Sequence, residues 1–253
     1  MNTVEIARRL DKAALEAKPT AQISLETKFS VEEAYQIQEE LMVCRYERGE
    51  KLVGLKMGFT SEAKMKQMGV NDLIWGRLSD RMLIENGGNL ERALFCHPRV
   101  EPELCFLIKK DITSEISLEE APEYVEAIAP ALEVIDSRYE NFKFSLEDVI
   151  ADNCSSSAFI VGEWQDVPAQ INDLAMSMKI KGGNDQDGNS SAILGNPWKS
   201  LVHASRLAAA ANQEFLAGHY LMAGAATGAE FINVGHEISL EVSGLGSVGF
   251  KVV

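Results

Sequence analysis

Three glutamates and one lysine are the residues of this chain whose types and spacing could do chemistry together. Glu101 and Glu103 stand one residue apart in an apolar segment that alternates as a strand does, so both carboxylates share a face, roughly 7 Å apart. Glu133 is the single acid of a second apolar segment, residues 127–135. Carboxylates held this close repel one another and lose solvation on burial, and a divalent cation removes both penalties.

A solvated edge strand is the alternative interpretation, and for an arbitrary Glu-x-Glu pattern it is the better one. Here the strand around Glu101 and Glu103 is too apolar for a surface edge, and Glu133 supplies a third acid. No histidine or cysteine is clearly placed to join them, and all-oxygen ligation favours Mg²⁺ or Mn²⁺ over Zn²⁺. Three carboxylates would leave about three octahedral positions open for a bidentate substrate and a water molecule.

Lys56 interrupts a short apolar strand, residues 52–57. A lysine in such a strand usually points to solvent, and the functional alternative is a partly buried amine that binds or protonates an anionic oxygen. The hydroxyl-rich loop 152–157 suits anion binding, although many surface turns have this composition. Asp136 and Arg138 fit a structural ion pair and a site role equally well.

The elements that must position these residues follow from the hydrophobic pattern. Residues 3–17 are predicted to form an amphipathic helix, and Ser30 with Glu33 gives a capping-box pattern that begins a second helix. Further helices are predicted over 62–68, 118–128 and 199–212, with strands over 129–135, 158–161, 238–242 and 248–253 and a glycine-rich hairpin over 182–189. A strand-rich second half after a helical beginning favours an α+β fold over a doubly wound α/β fold.

Two domain descriptions fit this pattern. Residues 1–75 would form a helical segment with the first strand, packed on a strand-rich catalytic domain of residues 76–253, or the whole chain, 1–253, would count as one domain. The helical layer is assigned to packing rather than to chemistry.

Composition narrows the class of partner. The chain has 253 residues, is 46% hydrophobic and carries a net charge of −14, which disfavours nucleic acid and anionic membranes as partners. No apolar run approaches the ~20 residues of a membrane span, and the beginning lacks the apolar stretch of a signal peptide. The four cysteines form no C-x-x-C pair, as expected for reduced thiols in a cytoplasmic protein.

Six stretches, in chain order, resemble a known family: residues 54–61, 101–103, 133–144, 151–156, 194–197 and 245–248. They are similar to the fumarylacetoacetate-hydrolase-like superfamily, in the branch that holds 2-oxopent-4-enoate hydratases and 2-oxo-3-hexenedioate (4-oxalocrotonate) decarboxylases. The resemblance implies a helical N-terminal layer followed by a mixed β-sheet or roll. It also implies that Glu101, Glu103 and Glu133 bind Mg²⁺, with Mn²⁺ as the alternative ion.

The resemblance also implies a substrate site for a small 2-oxo acid. Lys56 is the implied catalytic residue and also contacts the substrate. Thr227 falls where the family places a substrate-contacting threonine, although its surroundings depart from the usual glycine-rich context. Ser155 and Ser156 of the polar loop are assigned to the same site.

The decarboxylase branch is favoured over the hydratase branch. Hydratases of this group carry an aspartate in an Asp-Phe-Gly or Asp-Tyr-Gly triplet where this chain has Ile74-Trp75-Gly76. Hydration needs an acid or base at the olefin, and decarboxylation does not. Residues 137–144 also resemble the decarboxylases. Ile74 and Trp75 would then form an apolar wall that disfavours the distal carboxylate but not neutral CO₂.

The implied activity is Mg²⁺-dependent decarboxylation of 2-oxo-3-hexenedioate to 2-hydroxypenta-2,4-dienoate in meta-cleavage degradation of aromatic compounds. A hydratase with the same metal site is the alternative, and a C–C hydrolase is disfavoured because no convincing Glu/His pair is present. A non-catalytic partner subunit would not need the intact glutamate trio. We also expect a homo-oligomer and, because the dienol product is unstable, a complex with a paralogous hydratase.

Overall fold

A layer of helices precedes the first strand in this computed structural model, which describes residues 2–60 and 73–253. The helices are α1 (Thr3–Leu15), α2 (Ile23–Glu26) and α3 (Val31–Glu47). The predicted capping box is confirmed, because Ser30 accepts the Glu33 N–H while the Glu33 carboxylate accepts the Ser30 N–H. The predicted helix over 62–68 lies outside the described residues.

Two β-sheets make up most of the remaining described chain. The first seven strands are β1 (Leu52–Gly58), β2 (Ile74–Ser79), β3 (Leu83–Ile84), β4 (Asn89–Leu90), β5 (Arg99–Ile108), β6 (Val125–Ile135) and β7 (Ser156–Val161). The other six are β8 (Ala175–Lys181), β9 (Gln186–Asn189), β10 (Tyr220–Met222), β11 (Glu230–Phe231), β12 (Glu237–Val242) and β13 (Gly246–Val252). Within the described residues, this series is interrupted by α4 (Leu146–Ala151) and α5 (Trp198–Ala210).

Both sheets mix parallel and antiparallel pairs. The larger one has the order β2-β1-β10-β5-β6-β7-β3, and β11 pairs with β5. The smaller has the order β4-β13-β12-β8-β9. In the larger sheet β1 pairs in parallel with β10 while β5 and β6 are antiparallel. This segregation of helices and mixed sheets confirms the predicted α+β class. The division at residue 75 stays a prediction.

The predicted helix over residues 118–128 is wrong. Only Ala121–Tyr124 form a short 3₁₀ turn, and β6 begins at Val125. β6 lies between β5 and β7, so both of its edges are hydrogen-bonded, and most of its side chains, on both faces, are buried. Burial on both faces makes a continuous apolar run compatible with a strand, and pairing with neighbours overrides the local helical pattern.

The helices were compared with the requirements for crossing a membrane. Across residues 2–60 and 73–253, none of them has the length and apolar character needed to cross a bilayer.

Candidate active site

The pairing of β5 with β6 brings the three glutamates together. Glu101 lies directly opposite Glu133 in this antiparallel register, and Glu103 follows two residues later on the same face of β5. One carboxylate oxygen from each residue lies within 4.8 Å of the other two. The exposed fractions of Glu101, Glu103 and Glu133 are only 6%, 1% and 0%. The trio is therefore a buried cluster and not a solvated strand face.

Burial makes this cluster costly without a counter-ion. Burial, and then the neighbouring Glu133, raise the pKa of Glu103 well above its ordinary value, and burial also raises the pKa of Glu133. Oε1 of Glu133 is buried and accepts no hydrogen bond from any described residue. Clustered hard oxygen donors with unsatisfied lone pairs fit a divalent cation such as Mg²⁺.

Lys56 is a buried amine, with an exposed fraction of 4%. Its Nζ lies 3.1 Å from Oε2 of Glu133, an ion-pair contact without the alignment of a hydrogen bond. It also donates a hydrogen bond of 3.1 Å to the carbonyl oxygen of Cys154. Burial alone would lower the pKa of Lys56, but Glu133 and the other nearby acids outweigh it and raise the pKa above its ordinary value. The amine therefore carries a fixed positive charge beside the trio.

The turn that holds the Cys154 carbonyl is strained. Asn153, Cys154 and Ser155 have φ angles of 48°, 53° and 58°, in the left-handed region that costs non-glycine residues about 1–3 kcal/mol each. The Asn153 side chain clamps the turn by accepting the Arg77 N–H at 2.8 Å and donating to the Arg77 carbonyl at 2.9 Å. Loop 152–157 is thus mostly buried, unlike the surface turns that share its composition.

Arg138 and Asp136 have structural partners, but not each other's side chains. The Arg138 guanidinium forms a buried ion pair with Asp152. The Asp136 carboxylate accepts the backbone N–H groups of Cys96 and His97 at 2.8 and 2.7 Å. The ion-pair interpretation was therefore right for Arg138 and named the wrong acid.

A cavity of about 280 Å³ adjoins the trio. Four of the predicted site residues line it, namely Lys56, Ile74, Glu101 and Ser155. Its other side chains are mainly apolar or aromatic: Phe59, Ile135, Phe142, Phe144 and Val149, together with Arg99 and Cys154. Sequence reasoning missed Arg99, although its position two residues before Glu101 on β5 could have identified it.

The structure does not bring three predicted substrate residues to this cavity. Trp75 follows Ile74 on β2, so its side chain turns to the opposite face and stacks on Tyr35 with ring centroids 5.5 Å apart. Ser156 Oγ lies 4.0 Å from the Met82 sulfur, and Thr227 Oγ1 donates to the Gly228 carbonyl. Substrate contact by these residues stays a prediction without support from the cavity.

Gly224 positions Glu103, and we expect Gly224→Ala to destabilise the fold by about 2–4 kcal/mol. The Gly224 N–H donates to Glu103 Oε2 at 2.8 Å, φ is +109°, and an added Cβ would lie 2.2 Å from Thr60 Oγ1. Urea denaturation measures the loss. Gly218→Ala is the control, because Gly218 has a φ of +83° but no atom within 4 Å of an added Cβ, and about 1 kcal/mol is expected there. Equal losses for the two variants would contradict the packing explanation.

Comparisons with known proteins agree with this fold. Residues 64–253 match the family described as fumarylacetoacetate (FAA) hydrolase, C-terminal. The chain is 50% identical over 251 residues to a 4-oxalocrotonate decarboxylase of a Pseudomonas species, covering 99% of this chain and 98% of that protein. It is also 29% identical over 228 residues to a 2-hydroxyhexa-2,4-dienoate hydratase of Comamonas testosteroni, covering 88% and 86%.

A solved structure matches over almost the whole chain. The 4-oxalocrotonate decarboxylase from Pseudomonas putida G7, complexed with magnesium and adipate, superposes with a TM-score of 0.95 at 32% identity, covering 99% of this chain and 97% of that one. A second structure of that protein is complexed with calcium and acetate. The family match extends over most of the sequence and the identity to relatives holds from end to end, so the chain belongs to the fumarylacetoacetate hydrolase family.

Proposed function

We propose that this protein is a metal-dependent decarboxylase that converts 2-oxo-3-hexenedioate into 2-hydroxypenta-2,4-dienoate and CO₂, in meta-cleavage degradation of aromatic compounds. The observation that carries the proposal is the buried trio of Glu101, Glu103 and Glu133 beside Lys56, at the wall of a cavity. The relative with 50% identity bears the name of this activity. The cavity volume of about 280 Å³ suits a small ligand such as a 2-oxo acid.

The glutamate trio would hold Mg²⁺, the ion bound in the structure of the similar decarboxylase. Mn²⁺ is the alternative ion, because it also prefers hard oxygen ligands. When bound, this ion supplies Lewis-acid polarisation of the 2-oxo acid. Gly224 keeps the Glu103 carboxylate in place through its N–H. The strained turn at Cys154 and the carboxylate of Glu133 fix the position of the Lys56 amine from two sides.

Lys56 has the role of stabilising charge that develops during the reaction. The bond between C5 and C6 breaks, CO₂ leaves, and its electron pair moves through the C3–C4 alkene to the oxygen at C2. Protonation of that oxygen gives the dienol product. A preorganised donor near a developing oxyanion accelerates a reaction by about 10²–10³-fold, and the buried Lys56 ammonium is suited to that position.

The composition of the cavity wall favours decarboxylation over hydration. Among the described residues that line the cavity, the only acid is Glu101 of the trio, and no histidine is present. Ile74 stands where the hydratases of the group carry an aspartate. Burial raises the pKa of the Cys154 thiol to about 12, so it stays neutral near pH 7 and donates to the Trp75 carbonyl at 3.1 Å. Hydration, which needs an acid or base at the olefin, finds little support here.

Product identification is the test of this proposal. The Mg²⁺-loaded protein is expected to release one CO₂ per 2-oxo-3-hexenedioate consumed, with 2-hydroxypenta-2,4-dienoate as the product seen by NMR. Removal of the metal with EDTA should stop the reaction, and Mg²⁺ should restore it. Formation of 4-hydroxy-2-oxopentanoate from 2-hydroxypenta-2,4-dienoate, without CO₂ release from the diacid, would identify a hydratase instead.

The proposal includes assembly into a homo-oligomer and a complex with a paralogous hydratase that consumes the unstable dienol. Light scattering of the purified protein, alone and mixed with such a hydratase, measures both. A monomer that stays monomeric in the mixture would remove this part of the proposal and leave the activity untouched.

A further inference from the structure

Arg99 lies in the wall of the active-site cavity, and the chemistry above makes no use of it. It precedes Glu101 by two residues on β5, so strand alternation places it on the same face as Glu101 and Glu103. Its guanidinium carbon lies 4.3 Å from the ring centroid of Phe142 and 4.0 Å from that of Phe231. The Arg99 guanidinium therefore lies between two aromatic rings. Arg99, Glu101 and Glu103 form a row on one face of β5, and Arg99 is at one end of that row.

The hydrogen-bonding capacity of this guanidinium is largely unused. Its Nε is buried and has no hydrogen-bond partner, and no ion pair joins Arg99 to a carboxylate anywhere in residues 2–60 and 73–253. A guanidinium is a planar fork of donors that matches both oxygens of one carboxylate. A charged fork at the wall of a cavity, within electrostatic reach of Glu101 and Glu230 but in an ion pair with neither, is suited to an anionic group of the ligand.

The aromatic neighbours prepare this group for binding. Stacking on Phe142 and Phe231 fixes the plane of the guanidinium and keeps water away from its faces, which strengthens an ion pair made at its edge. Asn141 and Phe142 have φ angles of 58° and 56°, so the backbone that presents Phe142 is held in an uncommon conformation. Phe142 also belongs to residues 137–144, the stretch that resembles the decarboxylases.

We propose that Arg99 binds the distal, C6 carboxylate of the substrate, the group that leaves as CO₂; this inference rests on the proposed function. The 2-oxo acid end would then lie at the glutamate trio. Residues two apart on a strand are separated by roughly 7 Å. Five carbon–carbon bonds of about 1.5 Å place C6 about 6 Å from C1. The spacing of Arg99 from Glu101 on β5 therefore matches a six-carbon diacid.

This role has a kinetic signature. The ion pair exists in the bound substrate and is lost as the carboxylate becomes neutral CO₂, so Arg99 stabilises the ground state more than the transition state. Arg99→Gln is therefore expected to raise KM about 10–100-fold without lowering kcat, because a charge-assisted hydrogen bond to the substrate is removed. Arg99 acts here as a specificity residue for diacids.

Ligand binding to the Mg²⁺-loaded protein tests the role without turnover. Adipate and hexanoate have the same length, and only adipate has the second carboxylate. By calorimetry, the parent protein is expected to bind adipate at least about 10-fold more tightly than hexanoate, and Arg99→Gln to abolish that preference. Arg81→Gln removes the same charge from an exposed residue outside the cavity and should preserve the preference. Thermal unfolding verifies that both variants are folded.

Several results of these binding and kinetic measurements would contradict the proposed role of Arg99. A parent protein that does not prefer adipate, or an Arg99→Gln variant that keeps the preference, overturns the proposal. A variant with lower kcat and unchanged KM would assign Arg99 to the transition state and also overturn it. Absence of CO₂ release by the parent protein would refute the proposed function, while the difference between adipate and hexanoate would still report on Arg99.

Discussion

Glu103→Gln is expected to abolish Mg²⁺ binding and Mg²⁺-dependent turnover while the metal-free protein stays at least as stable as the parent. Glu103 is buried with two other carboxylates, and its neutral amide replacement relieves their repulsion while it removes one ligand. Mg²⁺ affinity should fall by at least about 100-fold, since residues that only orient ligands already account for about 10–100-fold. The Gly224 N–H can still donate to the amide oxygen.

Thermal unfolding with and without Mg²⁺ measures this effect independently of activity. The parent protein should gain Tm with Mg²⁺, because an ion that binds only the folded state stabilises it, and Glu103→Gln should show no gain. Glu126→Gln is the matched control: it removes an exposed carboxylate from β6, the strand that carries Glu133, and should keep the full response. A Glu103→Gln protein whose Tm still rises with Mg²⁺ would remove this residue from the ligand set.

Lys56→Met is expected to give the opposite combination, with Mg²⁺ binding retained and turnover lost. The variant should lower kcat by about 10²–10³-fold, the usual effect of removing one preorganised oxyanion donor. Metal binding should persist because all three carboxylates remain, and Glu133 loses a competing cation at 3.1 Å. Glu103→Gln and Lys56→Met together therefore distinguish the residues that bind the ion from the residue that stabilises the charge developing during the reaction.

Stability gives Lys56→Met a second signature. Breaking a buried ion pair by removal of one partner costs about 3–5 kcal/mol, so the metal-free variant should unfold at lower urea concentration than the parent. Mg²⁺ should recover much of this loss, because the dication neutralises Glu133 in place of the lysine. Lys51→Met, an exposed lysine just before β1, is the control and should change neither property. Near-parental turnover in Lys56→Met would exclude the proposed role of its amine.

Local pattern in the sequence was enough to predict several parts of the site. Strand alternation placed Glu101 and Glu103 on one face, and because no histidine or cysteine was clearly placed to join the three acids, the sequence indicated a hard cation. The capping box at Ser30 also follows from neighbouring residues alone. These features depend on side chains within a few positions of one another, which is why the sequence determines them.

Alternation would also have separated Ile74 from Trp75, since adjacent strand residues face opposite ways. The structure places only Ile74 in the cavity wall. Ile74 and Trp75 therefore do not form one apolar wall, and the sequence alone was enough to predict this.

Pairing between distant segments decided the rest. The sequence does not show that Glu133 pairs opposite Glu101. It also does not show that Lys56 is buried, with its amine in contact with Glu133 and the Cys154 carbonyl. The local pattern of residues 118–128 is helical, but β6 begins at Val125 because β5 and β7 pair with both of its edges. Arg99 receives one of its aromatic neighbours from β11, far along the chain. Local periodicity sets which side chains share a face, whereas the free energy of packing many strands at once sets which faces meet.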